Sequence, residues 1–289
     1  MSVPIPPTER PDCAVVIVSY RTGPCLMECI RSVLGEMSAR EIVVVDNGNP
    51  AEMVSALRAL AETEERLTLL TGHGNVGFGR ACNMGAARTT SPFLLLLNPD
   101  SVLKPGSLDG AMDRLASRQD ISLYTVRIED PDGSEQRGCR RNLMTPWTCL
   151  VEVSGLHRLG FKRINLHGTP PPEDLEEVEC ISGSFLLFRR EVFEAIGGMD
   201  EDYFLHMEDV DVCFRVRAAG GSIWFDPTLS ASHVQGTSEA TSLFIEEQKT
   251  RGGVLYFSKH FGGWPNPLVL LVNIALWTRF LLLRIRTIF

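Results

Sequence analysis

The sequence predicts an α/β fold, built on a mostly parallel sheet flanked by helices, and three observations support this prediction. Short, fully apolar runs recur between residues 14 and 97, as expected for strands that are covered on both faces. Segments of helical length separate these runs, so strand and helix alternate. The 289 residues, 44% of them hydrophobic and 22% charged, suffice for one large domain or two small ones and exclude a disordered or collagen-like chain.

The first predicted unit is a strand, a crossover helix and a second strand. The run Ala14–Ser19 is β-branched and apolar, which is typical of a central parallel strand. A second run, Ile42–Val45, ends in the turn residues Asp46–Gly48. The intervening segment Leu26–Met37 is long enough to form the crossover helix between two parallel strands.

The alternation continues to residue 97 and marks one edge of the sheet as a binding site. Further helices are expected at Met53–Leu60 and Phe78–Arg88, and further strands at Leu67–Leu70 and Phe93–Leu97. Ligands of such sheets bind beyond the carboxyl ends of the strands. The polar residues that follow each run are therefore candidate ligand contacts: Ser19, Tyr20, Arg21, Asp46, Asn47, Gly72–Gly79, Asn98 and Asp100.

The alternation of strands and helices weakens beyond Ile121. This change divides the chain into two parts, at about residues 12–120 and 121–262. Residues 137–172 mix basic side chains with glycines and prolines and are interpreted as a variable insertion. Regular elements are then expected again: a strand at Val178–Phe188, helices near Glu191–Ile196 and Glu208–Ala219, and a strand at Ser222–Phe225.

The C-terminal segment, residues 263–289, is predicted to form an apolar helix with a basic end. The run Leu268–Leu283 is shorter than the roughly 20 residues that cross a bilayer, and Arg284 and Arg286 follow it. An apolar helix with a cationic end suits a membrane interface, which is the favoured interpretation. Packing onto the domain or a second subunit, and a true membrane span, are the alternatives, and the oligomeric state is open.

Charge and cysteine content exclude several classes of protein. Twenty-eight basic and 36 acidic residues give a net charge of −8, so no nucleic-acid partner is expected. The eight cysteines include no CxxC pair, which argues against a zinc ribbon or a thioredoxin-like motif and for reduced cytosolic thiols. The first twelve residues contain no apolar core, so we expect no secretory signal peptide and a cytoplasmic location.

Four polar residues have both a functional and a purely structural interpretation. Asp46 can accept the N3 hydrogen of uracil or thymine, or it can form an Asx turn. Asp100 can hold Mg²⁺ or Mn²⁺ against a diphosphate, or it can belong to an ordinary turn. His233 is either a structural hydrogen-bonding residue or a ligand of a metal or phosphate. Asn83 lies on a small-residue helix face that either a ligand or the sheet can approach, and the spacing of its glycine-rich segment does not match a nicotinamide-binding motif.

The segment Phe204–Gly220 contains the most informative acidic residues. A helical wheel places Asp209 with the inward-facing apolar residues, whereas Glu208, Asp211 and Arg215 form a separate face. Asp211 and Arg215 are four residues apart and are expected to form a surface pair. An inward-facing carboxylate is costly without a partner, so Asp209 is either a general base or a helix cap.

Taken in order, six motifs between Ala14 and Thr237 resemble the GT-A-type family 2 glycosyltransferases, and more narrowly their rhamnosyltransferase-like branch. They are VIVSYR, VVVDNG, GNVGFGRACNMG, LLLLNPDS, the long run ISGSF to RVRAAG, and SHVQGTS. The resemblance implies a Rossmann-like sheet, a nucleotide-diphosphate sugar donor, a divalent metal and inversion by direct displacement. In this chain Asn98 replaces the first acid of the DxD motif.

The resemblance also implies roles for individual residues. Asp209 matches the catalytic base, Asp100 the metal-binding acid, and His233 a late histidine near the metal. The donor-binding residues would be Ser19, Tyr20, Arg21, Asp46, Asn75, Gly77, Asn83 and Asn98, and the acceptor side would include Glu208 and Trp147.

These inferences combine into one functional hypothesis. Residues 1–262 would form a GT-A domain, with a donor-binding half at about 12–120 and an acceptor and catalytic half at about 121–262, and residues 263–289 would be a membrane-interface anchor. The enzyme would move a sugar such as rhamnose from a dTDP- or UDP-sugar to a lipid-linked or polysaccharide hydroxyl, on the inner face of the cell membrane. The alternatives are a degenerate nucleotide-sugar-binding domain, motivated by Asn98, and a nucleotidyltransferase-like enzyme.

Overall fold

A computed structural model describes residues 10–234, 241–262 and 266–286. Predictions for the first nine residues and for the end of the motif SHVQGTS lie outside the described residues. The strands are β1 (Cys13–Ser19), β2 (Ala39–Asp46), β3 (Leu67–Leu70), β4 (Phe93–Leu97), β5 (Ser101–Leu103), β6 (Leu123–Glu129), β7 (Arg140–Arg141), β8 (Glu176–Glu177), β9 (Cys180–Ile181), β10 (Phe185–Arg189) and β11 (Ile223–His233). The helices are α1 (Cys25–Leu34), α2 (Ala51–Thr63), α3 (Phe78–Ala86), α4 (Ser107–Ser117), α5 (Pro146–Ser154), α6 (Arg190–Ala195), α7 (Glu208–Ala218), α8 (Ser242–Phe261) and α9 (Pro267–Arg286).

The described strands form one large mixed sheet in the order β3-β2-β1-β4-β10-β6-β11-β5, with β8 beside β11 and a separate pair, β7 and β9. The α/β prediction is confirmed, and β1 to β4 are parallel as expected. The second half differs, because β10 runs antiparallel to both β4 and β6. Every residue of β1 and β4 is buried, which explains their continuous apolar sequence.

Helix α3 lies unusually close to the sheet and thereby positions the glycine-rich loop before it. A Cβ atom at Gly85 would collide with the side chain of Val16 in β1 and approach Val45 of β2 to 3.2 Å. Only glycine fits at this contact. The loop that ends at Gly77 is consequently held beside the carboxyl ends of β1 and β2.

Two predicted strands have different limits in the structure. The expected strand Val178–Phe188 is divided into β9 and β10 by a turn at residues 182–184. The expected short strand Ser222–Phe225 extends as β11 to His233, with a register shift between Asp226 and Ser230. This extension is important for the site because it brings His233 opposite Ser101, next to Asp100.

The helical-wheel interpretation of α7 was wrong. Asp211 is fully buried, and Glu208 is buried as well, whereas Asp209 is only partly buried. Asp211 accepts a hydrogen bond from Arg215 Nε at 2.7 Å and pairs with His260 Nε2 of α8 at 2.7 Å. The face that looked solvent-exposed is covered by α8, so Asp211 and Arg215 form a structural pair inside the protein.

The C-terminal helix is longer than expected. Helix α9 spans 20 residues, and its segment Pro267–Ile285, with a mean hydropathy of 1.9, is long and apolar enough to cross a membrane by length and composition. The length argument against a span was therefore wrong, because the helix continues through Arg284. Helix α9 runs antiparallel along α8, with Arg279 bound to Glu246 at 2.7 Å and Leu276 against Gly253.

Candidate active site

A cavity of about 580 Å³ opens at the carboxyl ends of β1 and β4, where the strand-end rule predicts a ligand. Both halves of the chain and helix α8 contribute to its wall. The predicted site residues in this wall are Tyr20, Asn75, Gly77, Asn98, Asp100, Glu208, Asp209 and His233. Within residues 137–172, which the sequence analysis interpreted as a variable insertion, the structure has β7, α5 and a 3-10 turn at Leu156–Leu159.

The wall beside β1 and β2 is formed by amide side chains on a rigid loop. Asn47 Nδ2 donates a hydrogen bond to Gly77 O at 3.1 Å, and Asn75 Oδ1 accepts one from Gly77 N at 3.1 Å. Gly77 has a φ of 89°, and a Cβ there would lie 2.9 Å from Phe204 O. Glycine therefore allows the loop to contact the segment that precedes α7.

Asp46 lies behind this wall, in the Asx turn that was the alternative interpretation. Its Oδ1 accepts hydrogen bonds from the backbone N–H groups of Gly48 and Asn49, and its Oδ2 accepts one from Thr71 at 2.8 Å. Burial by itself would raise the pKa of Asp46, but these hydrogen bonds outweigh burial and lower its pKa. Its role in base recognition stays a prediction.

Four other predicted residues are placed outside the cavity wall. Asn83 uses its amide within the protein, donating to Met199 O at 2.8 Å and accepting from Met199 N at 2.9 Å, so internal packing describes its contacts. Ser19 is fully buried, and Arg21 lies beside the ring of Tyr20. Trp147 is half exposed on α5, against Phe161. Neither Asn83 nor Trp147 lines the cavity, and their roles in donor and acceptor binding stay predictions.

Asp100 and His233 face each other in the cavity, with 3.0 Å between Oδ1 and Nε2. Gln136 Nε2 donates to Asp130 Oδ1 and to His233 O, so Gln136 Oε1 is the acceptor for His233 Nδ1–H at 2.6 Å. In its neutral form the imidazole therefore has its lone pair on Nε2, the atom that faces the carboxylate of Asp100.

Such a juxtaposition of two acceptors suits a cation. Within the described residues no group of three or more His, Cys, Asp or Glu side chains converges on one point. Mg²⁺ and Mn²⁺ commonly use few protein ligands and complete their coordination with phosphate oxygens and water. Asp100 and His233 therefore fit a divalent metal that a diphosphate helps to hold.

Asp209 is held by an arginine that the sequence analysis did not single out. Its Oδ2 accepts hydrogen bonds from Arg141 Nη2 and from Gly183 N, the latter at 3.2 Å. Arg141 also donates to Ile181 O at 2.6 Å. Burial acts to lower the pKa of Arg141, but the carboxylate of Asp209 raises it above its ordinary value. The only signal in the sequence was the basic stretch that contains Arg141.

Glu208 is the second acid of this wall, and its charge state differs from that of an ordinary glutamate. It is 8% exposed, and its Oε2 atom has no hydrogen-bond partner. Burial, followed by the charge of Asp209, raises the pKa of Glu208 to about 8. The loop before it is strained, with φ values of 67° at His206 and 75° at Met207. At neutral pH this side chain is therefore mainly a neutral proton donor.

Two relatives of the chain are bacterial rhamnosyltransferases. It is 27% identical over 282 residues to an N-acetylglucosaminyl-diphospho-decaprenol L-rhamnosyltransferase of Mycobacterium tuberculosis, with 88% of this chain and 87% of the relative covered. It is 23% identical over 229 residues to the rhamnosyltransferase WbbL of Escherichia coli, with 76% and 82% covered.

Solved structures with a similar fold support the GT-A architecture. A mannosyltransferase from Pyrobaculum calidifontis, in complex with GDP-Man and Mn²⁺, has a TM-score of 0.60 at 18% identity, covering 93% of this chain and 71% of that one. GalNAc-T7 with UDP, GalNAc and Mn²⁺ has a TM-score of 0.62 at 15% identity, covering 90% and 52%. The sequence model of the family described as "Glycosyl transferase family 2" matches residues 14–197. This match spans more than half of the chain, which therefore belongs to glycosyl transferase family 2.

Proposed function

We propose that this glycosyltransferase inverts the anomeric carbon and is metal-dependent, and that it moves a sugar from a dTDP- or UDP-sugar to a lipid-linked hydroxyl. The observation that carries the proposal is one cavity lined both by a carboxylate suited to act as a base, Asp209, and by two side chains that fit a divalent cation, Asp100 and His233. The M. tuberculosis relative is named for transfer of L-rhamnose to a diphospho-decaprenol glycolipid. Its similarity over most of both chains supports rhamnose and a lipid diphosphate as the substrates here.

In the proposed mechanism Asp209 accepts the proton of the acceptor hydroxyl. The hydroxyl oxygen then bonds to the anomeric carbon as the bond from that carbon to the diphosphate breaks, and the nucleoside diphosphate leaves. Arg141 and Gly183 N–H fix one oxygen of the base, which orients the carboxylate. A divalent metal held by Asp100 and His233 would neutralise charge on the departing diphosphate.

The two acids of α7 that line the cavity, Glu208 and Asp209, have different roles in this proposal. Glu208 is mainly neutral at pH 7 because its pKa is raised to about 8. It adds little negative charge beside Asp209 and can donate a hydrogen bond to the acceptor sugar. Asn98, which stands in place of an acid, approaches His233 Nε2 with its amide nitrogen at 3.4 Å and so orients the histidine.

Release of nucleoside diphosphate tests the proposal directly. Asp209→Asn should retain donor-dependent thermal stabilisation and lose about 10²- to 10⁴-fold in turnover, the usual contribution of a general base. Asp202→Asn, on the exposed loop before α7, is the matched control and should behave like the wild type. Near-normal turnover of Asp209→Asn contradicts the base assignment. Release of pyrophosphate instead supports a nucleotidyltransferase, and donor binding without any turnover supports a binding domain.

We further propose that α9 lies on the cytoplasmic face of the membrane. Its outer side exposes large apolar residues and its sequence contains no acidic residue. Exposed apolar side chains of neighbouring α5 and the 3-10 turn extend the same surface. The residues of this surface are Trp147, Leu159, Phe161, Leu268, Leu270, Leu271, Ile274, Trp277, Leu281, Leu282 and Ile285.

The packing of α9 favours an interfacial helix over a membrane span. If α9 crossed the membrane, the ion pair between Arg279 and Glu246 would leave its present position. Arg279 would then lie in the hydrocarbon core of the bilayer. Wild-type protein should sediment with anionic vesicles, and Leu270→Ser/Leu271→Ser should reduce the bound fraction severalfold without loss of fold. Retention of the double variant on vesicles contradicts this role of α9, and a concentration-dependent dimer in solution would instead assign the surface to a second copy.

A further inference from the structure

Helix α8 gives the cavity a wall that differs chemically from the strand ends. Phe244, Ile245 and Lys249 line the cavity from α8, whereas the strand ends contribute amides, a carboxylate and a histidine. The ring of Phe244 packs edge-on against Phe204, with 6.3 Å between centroids. This wall therefore combines aromatic and aliphatic surface with one cation.

The charges around Lys249 allow this side chain to bind an anion. Glu246 is bound by Lys249 Nζ at 3.1 Å and by Arg279 Nη2 at 2.7 Å, so one carboxylate serves two cations. The side chain of Lys249 is 46% exposed. An anion in the cavity can therefore approach Lys249 while Arg279 still neutralises Glu246 and holds α9 in place.

Lys249 also lies near the candidate base. The pKa of His206 is lowered, first by burial and then by the positive charge of Lys249, and the charge of Asp209 acts on the same ring in the opposite direction. His206 thus interacts electrostatically with both Asp209 of α7 and Lys249 of α8. A ligand whose hydroxyl group contacts Asp209 can therefore contact Lys249 with another of its groups, because both residues line the same cavity.

We propose that Lys249, with Phe244 and Ile245, forms a subsite for the phosphate-bearing, apolar aglycone of the acceptor. The ligand class is an isoprenoid diphosphate, because the wall offers apolar surface for the chain and a cation for the phosphate. Helix α8 packs along α9, whose outer face is apolar, so a lipid held at that surface reaches the cavity from this side. This inference rests on the proposed lipid-linked acceptor and assigns its diphosphate to α8.

Binding of farnesyl diphosphate, compared with uncharged farnesol, tests the subsite without requiring turnover. Titrations are made in EDTA, so that a metal at Asp100 and His233 makes no contribution. The wild type should prefer the diphosphate by about tenfold, as expected for one charge-assisted contact. Lys249→Ala should lose this preference and Lys249→Arg should retain most of it.

The matched control is Arg251→Ala, which removes the same charge from α8 at a position that pairs with Glu247. It should keep the wild-type preference. An unchanged preference in Lys249→Ala overturns the proposal. Weaker binding of dTDP or UDP to Lys249→Ala than to the wild type, measured with Mn²⁺, also overturns it, because it would assign the cation to the donor. If the glycosyltransferase assay fails but the preference for farnesyl diphosphate still depends on Lys249, the proposed reaction is rejected. The anion subsite at Lys249 is then retained.

Discussion

Glu208 makes the stability of this protein depend on pH, and Glu208→Gln is the substitution that reveals it. Glutamine keeps the shape of the side chain and removes its ionisation. In the structure Glu208 is 8% exposed, its Oε2 atom has no partner, and its pKa is about 8 instead of 4.5. The folded protein therefore retains a proton that the unfolded chain releases above pH 4.5.

The sign and size of the effect follow from this difference. A raised pKa gives stability that is fully present below about pH 4.5 and is lost as the pH rises through 8. The loss is about 1.4 kcal/mol for each pH unit between these two values. Between pH 5.5 and 7.5 the free energy of unfolding of the wild type should therefore fall by about 3 kcal/mol relative to Glu208→Gln.

Urea unfolding, followed by tryptophan fluorescence at pH 5.5, 6.5 and 7.5, measures this difference. Other titrating groups act equally in both proteins and cancel. Glu177→Gln, on the exposed strand β8, makes the same substitution at a solvated position and should differ from the wild type by a constant amount. Parallel stability curves for the wild type and Glu208→Gln would refute the reasoning, since they would show that the buried carboxyl is ionised or finds a partner.

Three further predictions concern the site and its supports. Arg141→Gln should lower turnover at least tenfold and destabilise the fold by about 1–3 kcal/mol, because Asp209 loses its charged partner; release of nucleoside diphosphate and urea unfolding measure both effects. Removing divalent cations with EDTA should abolish donor-dependent thermal stabilisation, and His233→Ala should raise the Mn²⁺ concentration that restores it about tenfold or more. Gly85→Val should destabilise by about 1–3 kcal/mol or more through collision with Val16, whereas unchanged urea unfolding would show that α3 can move away from the sheet.

Much of the fold could be predicted because burial on both faces of a strand leaves a clear sequence pattern. The strands β3 and β4 have the limits that their apolar runs predict, and β1 and β2 differ by only a few residues at their ends. The direction of β10 could not be predicted, since an apolar run looks the same whether its neighbours are parallel or antiparallel. The extension of β11 to His233 was also missed, because Asp226 and Pro227 interrupt the run and the strand continues through a register shift.

The candidate site was predicted in part, by two different kinds of signal. The strand-end rule found Asn98 and Asp100, and the family resemblance supplied roles for His233 and Asp209, which residue patterns had already singled out; all four line the cavity. Neither signal found Lys249, whose position depends on how α8 packs. Helix periodicity placed Asn83 on a small-residue face but could not give the partner of its amide, which is Met199.

The sequence by itself determined the alternation of strands and helices, the family, and the edge of the sheet at which ligands bind, because each of these depends on local pattern. The tertiary structure alone decided which acids are buried and which cations meet them. Arg141 and Asp209 are 68 positions apart, yet they form an ion pair once β9, the partner strand of β7, packs against α7. Asp211 is buried only because α8 covers it with His260. Burial and charge pairing depend on distances through space, which a linear pattern does not contain.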